Sequence, residues 1–220
     1  MEDTKKEVEK GSSELMKRVI WVILANVILG FGICLLRLSG FGTDPYTCMN
    51  LGVSSHLPIS YGTYQMLLNV LLFIPVFILD RKSFGLGALI NMLLLGYIVD
   101  VCVFLFSLLD ITIEGLAGSL VLRIPLLVAG VLVVCLGIAL YMACDLGAAP
   151  YDRISVIAEN YSHGKLKFKW VRVCMDVLST AVGLATGSVV GIGTVVVAFF
   201  TGPIVSFFRN TVVVRILGKA

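Results

Sequence analysis

Six polar side chains stand in or beside stretches of this chain that are otherwise apolar: Asp44, Asp100, Asp176, Asn26, Asn69 and Asn91. An ionisable residue in hydrocarbon costs about 2.5–3.5 kcal/mol or more, so it persists mostly where it faces a polar interior and does work there. Together the six could line a cavity that takes a small polar or anionic solute. Burial would raise the carboxylate pKa values and suit them to carry a proton. A second reading makes the amides interhelical glue, worth about 0.6 kcal/mol per hydrogen bond. Asp100, with Arg123 as its candidate partner, reads as functional. Asp176 has Arg172 four residues earlier, the spacing of a helical ion pair.

The elements that must position these groups follow from composition. The 220 residues are 58% hydrophobic and 14% charged, against roughly 25% charged in soluble domains. Ten of the charged residues fall in the first 18 positions. The mean hydropathy of +0.99 leaves too little polar surface for a water-facing shell. A cytosolic enzyme, a secreted disulfide scaffold and a nucleic-acid binder are excluded. Six cysteines lie scattered without a C-x-x-C pair and read as small apolar fillers.

A hydrocarbon core of ~30 Å takes about 20 apolar helical residues. Six stretches qualify: 19–38, 61–79, 84–109, 120–142, 170–188 and 192–208. Continuous rather than alternating apolar runs mean helices, not a barrel. With the N-terminus inside, the cytoplasmic segments hold every Lys and Arg except Arg37 and Arg123. That bias places both termini in the cytoplasm. Residues 1–17 read as a disordered cytoplasmic tail.

The chain also repeats itself. Gly32-Ile33-Cys34-Leu35 followed by Gly42-Thr43-Asp44-Pro45-Tyr46 matches Gly137-Ile138-Ala139-Leu140 followed by Gly147-Ala148-Ala149-Pro150-Tyr151, at an offset of 105. Gly85-x-Gly87 with Gly96 matches Gly191-x-Gly193 with Gly202 at 106. The repeats cover 18–110 and 119–210. Three spans each is an odd number, so the second repeat is inverted relative to the first, as in many secondary transporters. After the first span of each repeat comes a segment, 44–57 or 150–162, too short and polar to cross. Asp44 reads as an N-cap with Pro45 at the first helical position, and Pro150 repeats that placement. Two short helices are expected, re-entrant or interfacial. If re-entrant, their N-termini offer partial positive charge to a polar or anionic group.

These motifs, Gly42-Thr43-Asp44-Pro45 and Gly147-Ala148-Ala149-Pro150-Tyr151-Asp152 within six-span hydropathy, resemble the YczE/YyaS/YitT-like family of bacterial integral membrane proteins. The resemblance implies a multi-pass protein of the bacterial cytoplasmic (inner) membrane and brings no catalytic residues. Ala148-Ala149 stands where the first repeat has Thr43-Asp44, so a ligand role for Asp44 has no counterpart.

His56 and His163 have no metal-ligand spacing around them, Gly85-x-Gly87 lacks a dinucleotide-loop context, and hydrolase, zincin and P-loop motifs are absent. No metal, cofactor or enzymatic activity is assigned. Partners are the lipid bilayer and a small polar or anionic solute; whether a protein partner or homo-oligomer exists is left open. The expected function is a small secondary transporter. The alternatives are a non-transporting accessory or regulatory protein acting through the loop 152–172, and a substrate-capturing subunit of a vitamin importer.

Overall fold

The computed structural model describes residues 2–81, 85–116, 119–163 and 165–217. Among these there are helices and connections and no strand. In chain order come α1 (Glu2–Ser39), α2 (Pro45–Ser54), α3 (Tyr61–Leu79), α4 (Leu86–Leu108), a single turn α5 (Ile113–Leu116) and α6 (Leu120–Ala143). Then follow α7 (Pro150–Tyr161), α8 (Phe168–Ala185) and α9 (Ile192–Phe208). α9 runs through a π-helical turn (Arg209–Val213) into α10 (Val214–Leu217).

From residue 2 onward the N-terminal segment is helical and continues the first span. Its abundant Glu and Lys are good helix formers, and few apolar residues do not by themselves prevent a helix from extending. Among the described residues, five helices rather than six are long and apolar enough to cross a membrane: α1 from Ser13, α3, α4, α6 and Ile192–Ile216. α8 has 18 residues, but Lys169, Arg172 and Asp176 lie within it. Side chains such as Val121, Phe199 and Ile78 are largely exposed, an outer surface suited to lipid. This is a multi-pass helical membrane protein.

The core forms where α1 crosses α6, and the crossing depends on glycine. A Cβ on Gly32 would lie 2.7 Å from the Val134 nitrogen, and one on Gly137 would lie 2.9 Å from the Leu29 nitrogen. Each glycine thus admits the backbone of the other helix, the close approach that small residues allow in membranes. The two contacts are reciprocal, because Leu29 and Val134 are themselves 105 apart. Leu29, Ile33, Leu36, Val131 and Val134 pack beside them.

The remaining glycine blocks also meet crosswise. Gly42 and Gly147 turn the chain after α1 and α6 with φ of +97° and +98°, a region that favours glycine. The Gly87 N–H, at the start of α4, donates to the Leu146 carbonyl at 2.8 Å. The Gly193 N–H, at the start of α9, donates to the Phe41 carbonyl, also at 2.8 Å. Each half therefore caps a helix start of one half with the turn of the other.

Asn26 and Asn91 are buried between α1 and α4, where the Asn91 amide donates to Asn26 Oδ1 at 2.7 Å and Asn26 donates to the Val22 carbonyl at 2.8 Å. A single Asn26→Leu or Asn91→Leu is expected to cost about 1–2 kcal/mol, because its partner stays buried and unpaired. The double variant should recover most of that in thermal unfolding. If the double change costs the sum of the singles, the pair does more than join two helices.

α3 lies on α4 through two more glycines. A Cβ on Gly62 would sit 2.7 Å from Gly96 backbone, and one on Gly96 2.7 Å from the Gly62 Cα. Asp100 locks this seam by accepting the Gly62 N–H at 2.8 Å. Among the described residues no comparable packing joins α8 to α9, and a Cβ on Gly202, 106 residues after Gly96, would meet nothing within 4 Å.

Candidate functional site

The two short helices form where the sequence starts them. Pro45 and Pro150 occupy the first turns, where a missing N–H costs nothing. The Asp44 side chain accepts the Thr47 N–H at 3.0 Å, while Ala149 supplies no side-chain cap to α7. α2 packs against α8 and α7 against α3, so each short helix rests on a helix from the opposite half.

Their N-terminal turns meet. Tyr46 and Tyr151, each one residue past its proline, bring their rings to 4.5 Å between centroids, tilted by 37°. The Tyr46 hydroxyl donates to Asn69 Oδ1 at 2.8 Å. The Tyr151 hydroxyl donates to Asp176 Oδ1 at 2.9 Å and lies 3.2 Å from Ser179 Oγ. Each tyrosine is thus held by the following long helix of its own half, at equivalent positions. The difference is charge. Asn69 is neutral, whereas Asp176 Oδ2 accepts from Arg172 Nε at 3.2 Å. Arg172 also pairs with Asp152 in the first turn of α7, and its guanidinium lies 4.8 Å from the Tyr151 ring centroid, a cation–π distance.

Of the six singled-out residues, the structure brings Asn69 and Asp176 to this cluster, with Asp44 at the start of α2 beside it. Asn26 and Asn91 form their own pair at the α1–α4 contact, and Asp100 sits at the α3–α4 seam. One continuous cavity lined by all of them is not what the fold builds. Arg123 donates to the Ser39 and Gly40 carbonyls at 2.6 and 2.9 Å, serving the end of α1, where a cation is favourable. The Arg172–Asp176 ion pair is present. His56 reaches across to the Thr186 carbonyl at 3.0 Å, at the end of α8.

Tyr46 and Tyr151 carry the site and were not among the sequence candidates. Their signal was the repeated Pro-Tyr, set beside the helix start but not weighed as chemistry. Arg153 was missed too: it binds Asp80 through Nε at 2.9 Å and Nη2 at 2.8 Å, tying α7 to the end of α3.

Asp44 keeps some solvent contact, yet desolvation pushes its carboxyl above the usual carboxylate range, against hydrogen bonds from Thr47 and the positive charge of Arg172. The folded state therefore holds this proton more tightly than the unfolded state, whose pKa is about 3.9. Stability from this group is lost as pH rises from there through the raised value. Asp44→Asn keeps the cap and should flatten that part of the curve, and Asp44→Ala should lie about 1 kcal/mol below Asp44→Asn at all pH values. Identical pH dependence in wild type and Asp44→Asn would show that the carboxyl titrates normally.

A model of the family described as family of unknown function (DUF6198) matches residues 16–210. The chain is similar to an uncharacterized protein of Haemophilus influenzae, 31% identical over 201 residues, covering 89% of this chain and 85% of that protein. It is similar to the uncharacterized membrane protein YczE of Bacillus subtilis, 25% identical over 195 residues, with 88% and 86% covered. It is also similar to the uncharacterized protein YyaS of Bacillus subtilis, 27% identical over 193 residues, with 88% and 92% covered. No solved structure matches the chain.

Proposed function

The chain belongs to the family of unknown function DUF6198, and from that premise we propose that it is a small secondary carrier for a polar or anionic solute. Two inverted repeats, 18–110 and 119–210, rock about the paired short helices. The observation that carries this reading is the meeting of α2 and α7 at Tyr46 and Tyr151, each held by a polar residue of its own half. Half-helices that point their N-termini at each other inside a bundle leave a positive end for a solute's acceptor groups. The reciprocal glycine contacts support two interchangeable halves. α8 counts as the sixth span, because Asp152 and Asp176 offset the charge of Arg172.

The distribution of Lys and Arg supports cytoplasmic termini in a bacterial inner membrane. With that orientation the closed α3–α4 seam faces outward and the loosely packed α8–α9 seam faces the cytoplasm. The accessory reading loses surface by comparison. Of the loop 152–172, residues 152–161 belong to α7 and 168–172 to α8, and Asp152 and Arg172 are paired to each other.

Exchange of radiolabelled small anions, amino acids and vitamins across proteoliposomes tests the proposal. At least one solute should exchange, with a loss of about tenfold or more in Asp176→Asn, which weakens charge-assisted bonds to Tyr151 and Arg172. No exchange of any solute, together with stoichiometric copurification of another protein, would replace the carrier by the accessory role. Copurifying ATPase subunits would point to the vitamin-importer role.

A further inference from the structure

A second polar place lies apart from the tyrosine pair, among α1, α2, α3 and α4. A cavity of about 280 Å³ is lined by Arg37, Ser54, Ser55, Ser60, Tyr61 and Asp100, with Leu51, Ile59 and Val103 completing it. Two observations mark it as built for a ligand. Arg37, in the last turn of α1, is half-buried, and among the described residues its guanidinium has no hydrogen-bond or ion-pair partner. Asp100 uses Oδ2 for the Gly62 N–H and leaves Oδ1 without a partner among the described residues. Tyr61 is buried, with its hydroxyl beside Thr47 and Asp44 and not open to the cavity. A cation and an anion thus line one cavity without neutralising each other.

We propose that this cavity binds a small neutral amino acid as its zwitterion, with the carboxylate on Arg37 and the ammonium on Asp100. Arg37 presents a planar fork of donors that matches a carboxylate in two-point fashion, and the free Asp100 oxygen accepts from an ammonium. The ligand's side chain has its own space. A cavity of about 170 Å³ adjoins, sharing Arg37, Leu51 and Ser55, with Thr43, Gly52, Gly187 and Ser188 around it. Apart from Arg37, which lines both cavities, that lining is uncharged and mostly small, which suits the side chain of alanine, serine or threonine. This assignment rests on the carrier reading for its purpose, naming the class of solute, but the binding stands or falls by itself.

The full chain in lipid nanodiscs is melted with L-alanine, L-serine and L-threonine, and with propionate, ethylamine, L-glutamate and L-lysine as controls. A ligand of the folded state raises the melting temperature. The neutral amino acids should raise it, and the single-charge and doubly charged probes should not do so at equal concentration. Affinity from a titration should fall about tenfold or more in Arg37→Gln and in Asp100→Asn, each of which removes a charge-assisted contact. Asp100→Asn keeps an acceptor for the Gly62 N–H, so at least that variant tests the site in a folded protein. Propionate binding as well as alanine, unchanged affinity in both variants, or no stabilisation by any neutral amino acid each overturns the proposal. Alanine that binds as described but does not exchange across proteoliposomes leaves this site standing and removes the carrier reading. Exchange of another solute with no binding here does the reverse.

Discussion

Alanine at Gly85 or Gly191 is expected to destabilise the protein by roughly 2–3 kcal/mol, the range for overpacking a close contact, and the two losses should be alike. At Gly85 the added Cβ would lie 2.1 Å from the Leu146 carbonyl oxygen, and at Gly191 it would lie 2.4 Å from the Phe41 oxygen. In both cases the obstacle is backbone, which cannot rotate away as a side chain can. The same turns accept the N–H groups of Gly87 and Gly193, so displacing them also threatens a buried hydrogen bond. Gly202→Ala is the control: a Cβ there meets nothing within 4 Å, and the change should stay within about 0.5 kcal/mol. Thermal unfolding in one detergent compares the three. If Gly85→Ala and Gly202→Ala melt together, the crosswise contact does not hold the halves.

That contact explains why the glycine blocks were legible as a pattern while their meaning was not. An offset of 105 or 106 shows that Gly42 and Gly147, or Gly85 and Gly191, occupy like environments. It cannot show that the environment of Gly85 is the turn at Gly147, because pairing across halves is a property of three-dimensional packing. Hydropathy located five of the long helices well, since burial in lipid needs only a long apolar stretch. It located α8 by length, but could not weigh Lys169, Arg172 and Asp176 there, because what matters is which groups neutralise them. Asp152 does so from a different helix, and nothing at the sequence level pairs those two.

The candidate residues divide for the same reason. Apolar surroundings singled out Asn26, Asn69, Asn91, Asp100 and Asp176 alike, yet their roles follow from the group each one faces. Asn26 faces Asn91 and closes a helix contact. Asn69 and Asp176 face phenols at the meeting of two helix starts. Asp100 faces a backbone N–H on one side and a cavity on the other. A tyrosine in a membrane protein is ordinarily an interfacial residue, so residue type alone does not mark Tyr46 and Tyr151. Their ring contact at 4.5 Å and their bonds to Asn69 and Asp176 separate them from that background.

Locking α3 to α4 is expected to stop solute exchange altogether, which is the sharpest consequence of the two seams being unequal. The α3–α4 seam is closed by Gly62 against Gly96 and by Asp100, while Gly202 at the corresponding place on α9 faces open space. For the proposed carrier, two interchangeable halves imply a second state in which α8 closes on α9 and α3 parts from α4. A carrier must visit both, and a ligand or a cross-link that favours one shifts the population accordingly. Thr63 Oγ1 lies 3.4 Å from the Tyr97 hydroxyl, so cysteines at 63 and 97 face each other across the closed seam and can be joined by a bifunctional thiol reagent. Cys102 and Cys174, the less buried of the native cysteines, are replaced beforehand. Joining Thr63→Cys to Tyr97→Cys should abolish exchange, and cleaving the reagent with reductant should restore it. A link between Lys169→Cys and Gly202→Cys should block exchange as well, by holding the opposite state, and should form more slowly because that seam must first close. Undiminished exchange with the α3–α4 link complete would mean that these helices do not part during the cycle, and rocking of the two halves would have to be abandoned.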